Sequence, residues 1–153
     1  MITVLGQVLA TLCCSLFAGA ALYISLVEHP ARMSCGVQLA ATEFPPSYRR
    51  ATVMQASLAV FGFVFAALAW AGGASGWWLA GGITLLAVAP FTLAVMMSTN
   101  RQLMDPALDR TSEHAARLLT RWARLHVVRL GLSLIALPLF LFLLAGAAFL
   151  RSL

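Results

Sequence analysis

Four ionisable side chains stand where this chain can least accommodate them unpaired. Glu28 and His29 close one long apolar run, and His126 and Arg129 lie near the start of another. A charge beside hydrocarbon is costly unless it is partnered, so an ionisable group in such a place points to a site. An imidazole titrates near neutral pH and can take and return a proton. Trp122, His126 and Arg129 follow one another at i+4 and i+3, which sets indole, imidazole and guanidinium on one helix face. Thr92, Met96 and Asn100 share a face at successive i+4 steps, and Ser25 lies one turn before Glu28 and His29. Such a set is either a structural polar knot or a site, and one chemistry it would allow is that His126 or His29 takes a proton from an acidic carbon while Arg129 and Asn100 stabilise the oxyanion that results. Arg129 needs a counter-charge, and Glu28 is the obvious one; Glu28 could also orient a histidine. The indole of Trp122 could stack on a flat substrate.

Other polar residues have plainer readings. Arg32, Arg49, Arg50, Arg101 and Arg124 read as arginines that reach lipid headgroups. Gln55 is either interhelical glue or part of the site. Thr92 can bond its own helix backbone near Pro90. His114 reads as solvent-exposed, Cys13 and Cys14 as packing residues, and Met96 and Met97 as core. His29 and His126 could ligate haem or a metal ion. Without a third histidine or a set of carboxylates, however, the residues specify neither, and the expectation is no cofactor. There is no C-x-x-C pair, which argues against a thiol–disulfide oxidoreductase.

The elements that must position these groups follow from where the charge falls. Hydrophobic residues make up 61% of the 153 and charged residues only 10%, too few to cover a soluble domain of this length. Charge is confined to Glu28–Arg50 and Arg101–Arg129, with Arg151 apart. The apolar runs around those stretches are continuous rather than alternating, which predicts helices and not strands. The expected fold is all-α: one transmembrane domain over residues 1–153, an antiparallel up-down bundle of four transmembrane helices. The spans are expected near Val4–Val27, Ala51–Ala71, Trp77–Ser98 and Ala123–Leu150. The first run lacks a basic leader segment and reads as an uncleaved span.

Glu28-His29-Pro30 is expected to stop or kink the first helix, and Phe44-Pro45-Pro46-Ser47 to break a short interfacial helix over Ala31–Thr42. A second interfacial helix, capped by Asp109 or Thr111, is expected to run on into span four. Trp70, Trp77 and Trp78 flank the Gly72–Gly76 link as an aromatic belt. The net charge of +5 is all arginine and no lysine. Its positions fit membrane topology rather than nucleic-acid binding. The positive-inside rule puts both charged loops in the cytoplasm and both termini outside. That threading brings the ends of spans one and three level with the starts of spans two and four, opening a polar pocket toward the cytoplasm. Gly62, Ala66, Gly81, Gly82 and Ala87 would permit close packing within or between subunits, so a homo-oligomer is compatible.

Four segments carry a family resemblance: FAGAALYISLVEHPAR at Phe17–Arg32, YRRATVMQASLA at Tyr48–Ala59, PFTLAVMMSTNRQLMDP at Pro90–Pro106 and WARLHVVRLGLSLIAL at Trp122–Leu137. In these the chain resembles the anthrone-oxygenase-like family of small integral membrane proteins, which has many bacterial members. The resemblance implies four transmembrane helices in a bacterial plasma membrane. It also implies oxidation of an anthrone to an anthraquinone by dioxygen. The motif positions are His29, Gln55, Thr92, Asn100, Trp122, His126 and Arg129. With Glu28 they make the expected site: His126, His29, Arg129, Asn100 and Glu28 for the chemistry, and Trp122, Gln55 and Thr92 for the substrate. The partners would be a small lipophilic phenolic or anthrone-like molecule, dioxygen and lipid. The alternative is a non-catalytic binding or assembly subunit that holds a lipid, quinone or haem in the same pocket.

Overall fold

The structure, a computed structural model, describes residues 2–149. Four helices long and apolar enough to cross a membrane make up the fold: α1, Ile2–Ser34; α2, Val37–Ala71; α3, Trp77–Leu103; and α4, Glu113–Phe149. Their apolar runs form helices because a segment in lipid must satisfy its own backbone groups. Each helix packs on its neighbours around a ring, α1 on α2, α2 on α3, α3 on α4 and α4 on α1. The short links Cys35–Gly36 and Gly72–Gly76 make each joined pair antiparallel. Leu150, the last residue of the expected fourth span, lies outside the described residues.

The core has two parts. Small residues pack with larger apolar ones away from the charged end: Ala10, Cys14, Ala59, Ala66 and Ala69 are buried with Phe17 and Leu85, and Trp78 stacks on Phe140 at 5.2 Å. The expected belt is therefore corrected: Trp70 and Trp77 are exposed, while Trp78 is a core residue. Ile24, Ala40, Phe44, Met96, Leu103, Leu119 and Trp122 fill the charged end. Large exposed side chains such as Leu16, Phe61, Leu93 and Phe142 coat the outside, as a surface facing lipid requires.

None of the prolines expected to break a helix ends one. Pro30 does not end α1. A π-helical stretch over Ile24–Glu28 absorbs it, with the His29 amide bonded to the Ile24 carbonyl, and the helix runs on to Ser34. Such stretches are common at functional sites, and this one carries Ser25 and Glu28. Pro45 and Pro46 lie inside α2, which continues without interruption. They withhold the donors that would serve the Ala41 and Thr42 carbonyls, but the buried Ala40, Ala41 and Phe44 hold that turn against the charged-end core. The interfacial helices are thus not separate. The stretch expected for the first, Ala31–Thr42, is divided by the Cys35–Gly36 turn between the end of α1 and the start of α2, and the second runs on into α4 as expected. In α3, a one-residue break at Ala87 precedes Pro90, and a second π-helical stretch covers Thr92–Met96.

Neither expected residue caps α4. Ser112 does, its Oγ accepting the Ala115 amide at 3.2 Å. Asp109 instead closes a turn, accepting the Thr111 hydroxyl at 2.7 Å and the Thr111 amide at 2.9 Å. Those bonds, the hydroxyl's first, hold its carboxyl below the ordinary range.

Candidate functional site

Most of the buried polar side chains gather at the charged end, one or more from each helix. Arg129, on α4, is 8% exposed and donates to Gln55 Oε1 of α2 at 2.5 Å. Its guanidinium also lies 5.8 Å from the centre of the Phe17 ring of α1, a favourable face for a cation. One turn back, His126 is 1% exposed, and its Nδ1 lies 3.1 Å from Ser25 Oγ of α1. In the tautomer where Nδ1–H donates to Ser25, Nε2 presents its lone pair. The expected face on α4 therefore forms, with all three of its members pointing into the bundle.

The two histidines meet at one indole. The Trp122 ring centre lies 4.9 Å from that of His126 and 5.5 Å from that of His29. Phe44 meets the same indole edge-on at 5.3 Å. With three rings against it, Trp122 acts as the packing centre that fixes the imidazoles.

Glu28 and Arg129 are not an ion pair. Glu28 pairs with Arg32 one turn along α1, and Ser47 of α2 donates to the same carboxylate at 3.2 Å. Arg32 also meets Glu43 of α2 at 2.9 Å. Its side chain is only 6% exposed, so it is an internal cross-link of α1 to α2 and not a headgroup arginine. The i,i+4 spacing of Glu28 and Arg32 was the signal for it. Arg49, Arg50, Arg101 and Arg124 do lie exposed.

Asn100 takes a less direct position than expected, while Thr92 makes the bond to its own helix backbone that the sequence suggests. Asn100 is 1% exposed, and its Nδ2 donates to Tyr48 Oη of α2 at 2.9 Å. Thr92 Oγ1 donates to the Val88 carbonyl of its own helix at 2.7 Å.

Three cavities run through this layer. A groove of about 230 Å³ between α2 and α3 has Ala59, Val60, Val88, Leu93 and Met97 as its apolar walls, with Thr92 among them. Tyr48, Thr52, Gln55 and Arg129 supply most of its polar lining. Val60 and Leu93 are 47% and 65% exposed, so the groove opens on the lipid face. A crevice of about 180 Å³ between α1 and α4 is bounded by Ser25, His29, Trp122 and His126. Between them lies a chamber of about 20 Å³, room for one water. Tyr48, Gln55 and Arg129 line both groove and chamber, while Trp122 and His126 line both crevice and chamber. Glu28 and Arg32 face the chamber as well.

Polar atoms in this layer lack partners. Gln55 Nε2, Arg129 Nε, Asn100 Oδ1, Trp122 Nε1 and His29 Nδ1 are buried, with no hydrogen-bond partner among the described residues. Buried polar atoms are nearly always bonded, so a cluster of exceptions marks a place where a ligand or water belongs. Among the described residues, no group of three or more His, Cys, Asp or Glu side chains is placed to hold a metal ion. Sequence reading did not place Tyr48 in the site. The signal that could have drawn it inward is its spacing, since Tyr48, Thr52 and Gln55 fall at i, i+4 and i+7 on one stripe.

A family model described as anthrone oxygenase matches residues 44–139, well over half of the chain. That stretch contains Tyr48, Gln55, Thr92, Asn100, Trp122, His126 and Arg129, and leaves Glu28 and His29 outside it. No curated protein and no solved structure matches.

Proposed function

Because the chain belongs to the anthrone oxygenase family, we propose that it is a membrane oxygenase that converts a lipophilic phenolic or anthrone-like substrate to the quinone with dioxygen. One observation carries the choice of substrate class. The groove between α2 and α3 is apolar along its walls, yet Gln55 Nε2 and Arg129 Nε, on two of its polar lining residues, are donors without acceptors. A flat molecule with one anionic or carbonyl oxygen fits both demands. The groove opens toward lipid, where such a molecule is concentrated.

The chemistry runs on side chains and dioxygen. His126 lines the chamber and not the groove, so it takes the proton of the methylene carbon opposite the carbonyl through the one water the chamber has room for, and the electron pair moves onto the carbonyl oxygen as an enolate. Arg129 and Gln55 stabilise that oxygen, as donors aimed at developing charge do. Dioxygen accepts electrons from the carbanionic carbon and bonds there. The resulting peroxide takes the proton back from His126, and loss of water leaves the second carbonyl. One substrate and one dioxygen thus become one quinone and one water, with no external reductant. Ser25 holds the His126 ring, and Trp122 fixes its plane. His29 and Glu28 border the same layer. On this reading the chain works in a bacterial plasma membrane, with its charged end in the cytoplasm and both termini outside.

The test is oxygen uptake by reconstituted protein given a hydroxyanthrone, with the rate in protein-free vesicles subtracted. His126→Ala is expected to lose about 10²- to 10⁴-fold, the range of a general base, while still inserting and folding. Unchanged uptake in that variant would leave the pocket as a binding or assembly site for a lipid, quinone or haem.

A further inference from the structure

We propose that Tyr48 is a third donor to the substrate oxygen and that Asn100 is the residue that positions it; this inference rests on the oxygenase reading of the same site. A phenol hydroxyl has one proton to give and lone pairs that accept. Asn100 Nδ2 fills a lone pair of Tyr48 Oη at 2.9 Å. With the amide in this orientation Nδ2 can only donate, so the Tyr48 proton is left for another acceptor. Among the described residues it has no protein acceptor.

Tyr48 lines both the groove and the water-sized chamber, beside Gln55 and Arg129. Its direction is fixed from two sides. The Phe44 ring stacks on it at 5.4 Å and 11°, and Asn100, 1% exposed, comes from α3. Tyr48, Thr52 and Gln55 lie on one stripe of α2, so the phenol and the amide face the groove together. Three donors from three kinds of side chain then line the same groove, where one substrate oxygen can draw on them: a phenol, a carboxamide and a guanidinium. Asn100 does not line the groove. Its effect on the reaction passes through Tyr48, which makes Tyr48 the catalytic residue and Asn100 a positioning residue.

Two readouts test this on the reconstituted protein. The first is oxygen uptake with a hydroxyanthrone. Tyr48→Phe keeps the ring that stacks on Phe44 and removes only the hydroxyl; kcat is expected to fall about 10²-fold, the scale of one lost oxyanion donor. Asn100→Leu is expected to lower kcat by no more than that. The Tyr48→Phe/Asn100→Leu double variant is expected to match Tyr48→Phe alone. The second readout needs no turnover. A hydroxyanthraquinone changes colour when its phenol ionises, and donors in the groove favour the anion. Its apparent pKa on the wild-type protein should lie below that in protein-free vesicles, and Tyr48→Phe should raise it by about one unit, as the loss of one bond to a charged group does.

If the wild type takes up oxygen and Tyr48→Phe leaves either uptake or the dye pKa unmoved, the catalytic assignment of Tyr48 is overturned. Losses at Asn100 and Tyr48 that multiply in the double variant overturn the positioning role. If the wild type takes up no oxygen but the dye pKa still depends on Tyr48, the donor stands and the oxygenase reading fails.

Discussion

Arg32 shows how far partnership decides the fate of a charge near hydrocarbon. Its guanidinium is enclosed between Glu28 of its own helix and Glu43 of the next. Removing it by Arg32→Met would leave two carboxylates facing each other with no cation between them. A fully buried pair broken in this way costs about 3–5 kcal/mol. Glu28 and Glu43 keep 29% and 40% of their side-chain surface exposed, so water screens part of that cost. The expected loss is about 2 kcal/mol, read as a lower midpoint in unfolding from detergent. Arg32→Met/Glu28→Gln should recover part of it. An unchanged midpoint in Arg32→Met would show that the cluster is solvated. The sequence made the polar residues legible as a set but not as pairs. Glu28, His29, His126 and Arg129 stood out because charge is rare in spans. Which of them touch depends on helix rotation, and the π-helical stretch over Ile24–Glu28 alters the rotation of α1 just there. Hence Arg129 meets Gln55, a neutral partner whose signal was weak, rather than Glu28.

At the scale of the helices, the contact that sets the whole arrangement is the close approach of α1 and α2. A Cβ at Gly6 would lie 2.9 Å from the Phe65 carbonyl oxygen and 3.1 Å from the Ala69 amide nitrogen. Both are backbone atoms, so no rotamer change relieves the clash and the helices must separate. Gly6→Ala is therefore expected to destabilise by about 1–3 kcal/mol, the range for overpacking. Gly19→Ala is the control: it lies in the same helix with nothing within 4 Å and should show no loss. Equal midpoints for the two variants would mean that the helices are not in contact at Gly6. The four long apolar helices were legible because continuous apolar runs between charged stretches have few alternatives. The ends of the helices were not. Proline predicts a break only where nothing else holds the chain, and around Pro45 and Pro46 the buried Ala40, Ala41 and Phe44 do hold it.

For the whole molecule, helix length and charge together argue an orientation. A 35-residue helix such as α2 is about 50 Å long, against a hydrocarbon core of about 30 Å. The excess has to emerge at one end. Exposed Trp70 and Trp77 fit the interface at the uncharged end, and roughly 20 residues measured from there reach Thr52 on α2 and Met96 on α3. Tyr48 and Asn100 then sit at headgroup depth, with Gln55 and Arg129 just inside the hydrocarbon. A substrate lying in the leaflet could keep its rings in lipid while its oxygen meets those donors. The emerging end carries Arg49, Arg50, Arg101, Arg110, Arg117, Arg121 and Arg124, which argues for the cytoplasm. Cys35 reports on this without any substitution. It is exposed at the turn between α1 and α2, whereas Cys13 and Cys14 are buried. A thiol reagent that cannot cross membranes should leave the protein unlabelled in intact cells and label it at Cys35 in inverted vesicles, with Cys35→Ser abolishing the signal. Labelling of Cys35 in intact cells would turn the bundle over. The donors and His126 would keep their geometry, but the groove would then open on the outer leaflet, and a substrate made in the cytoplasm would have to cross the membrane to reach it.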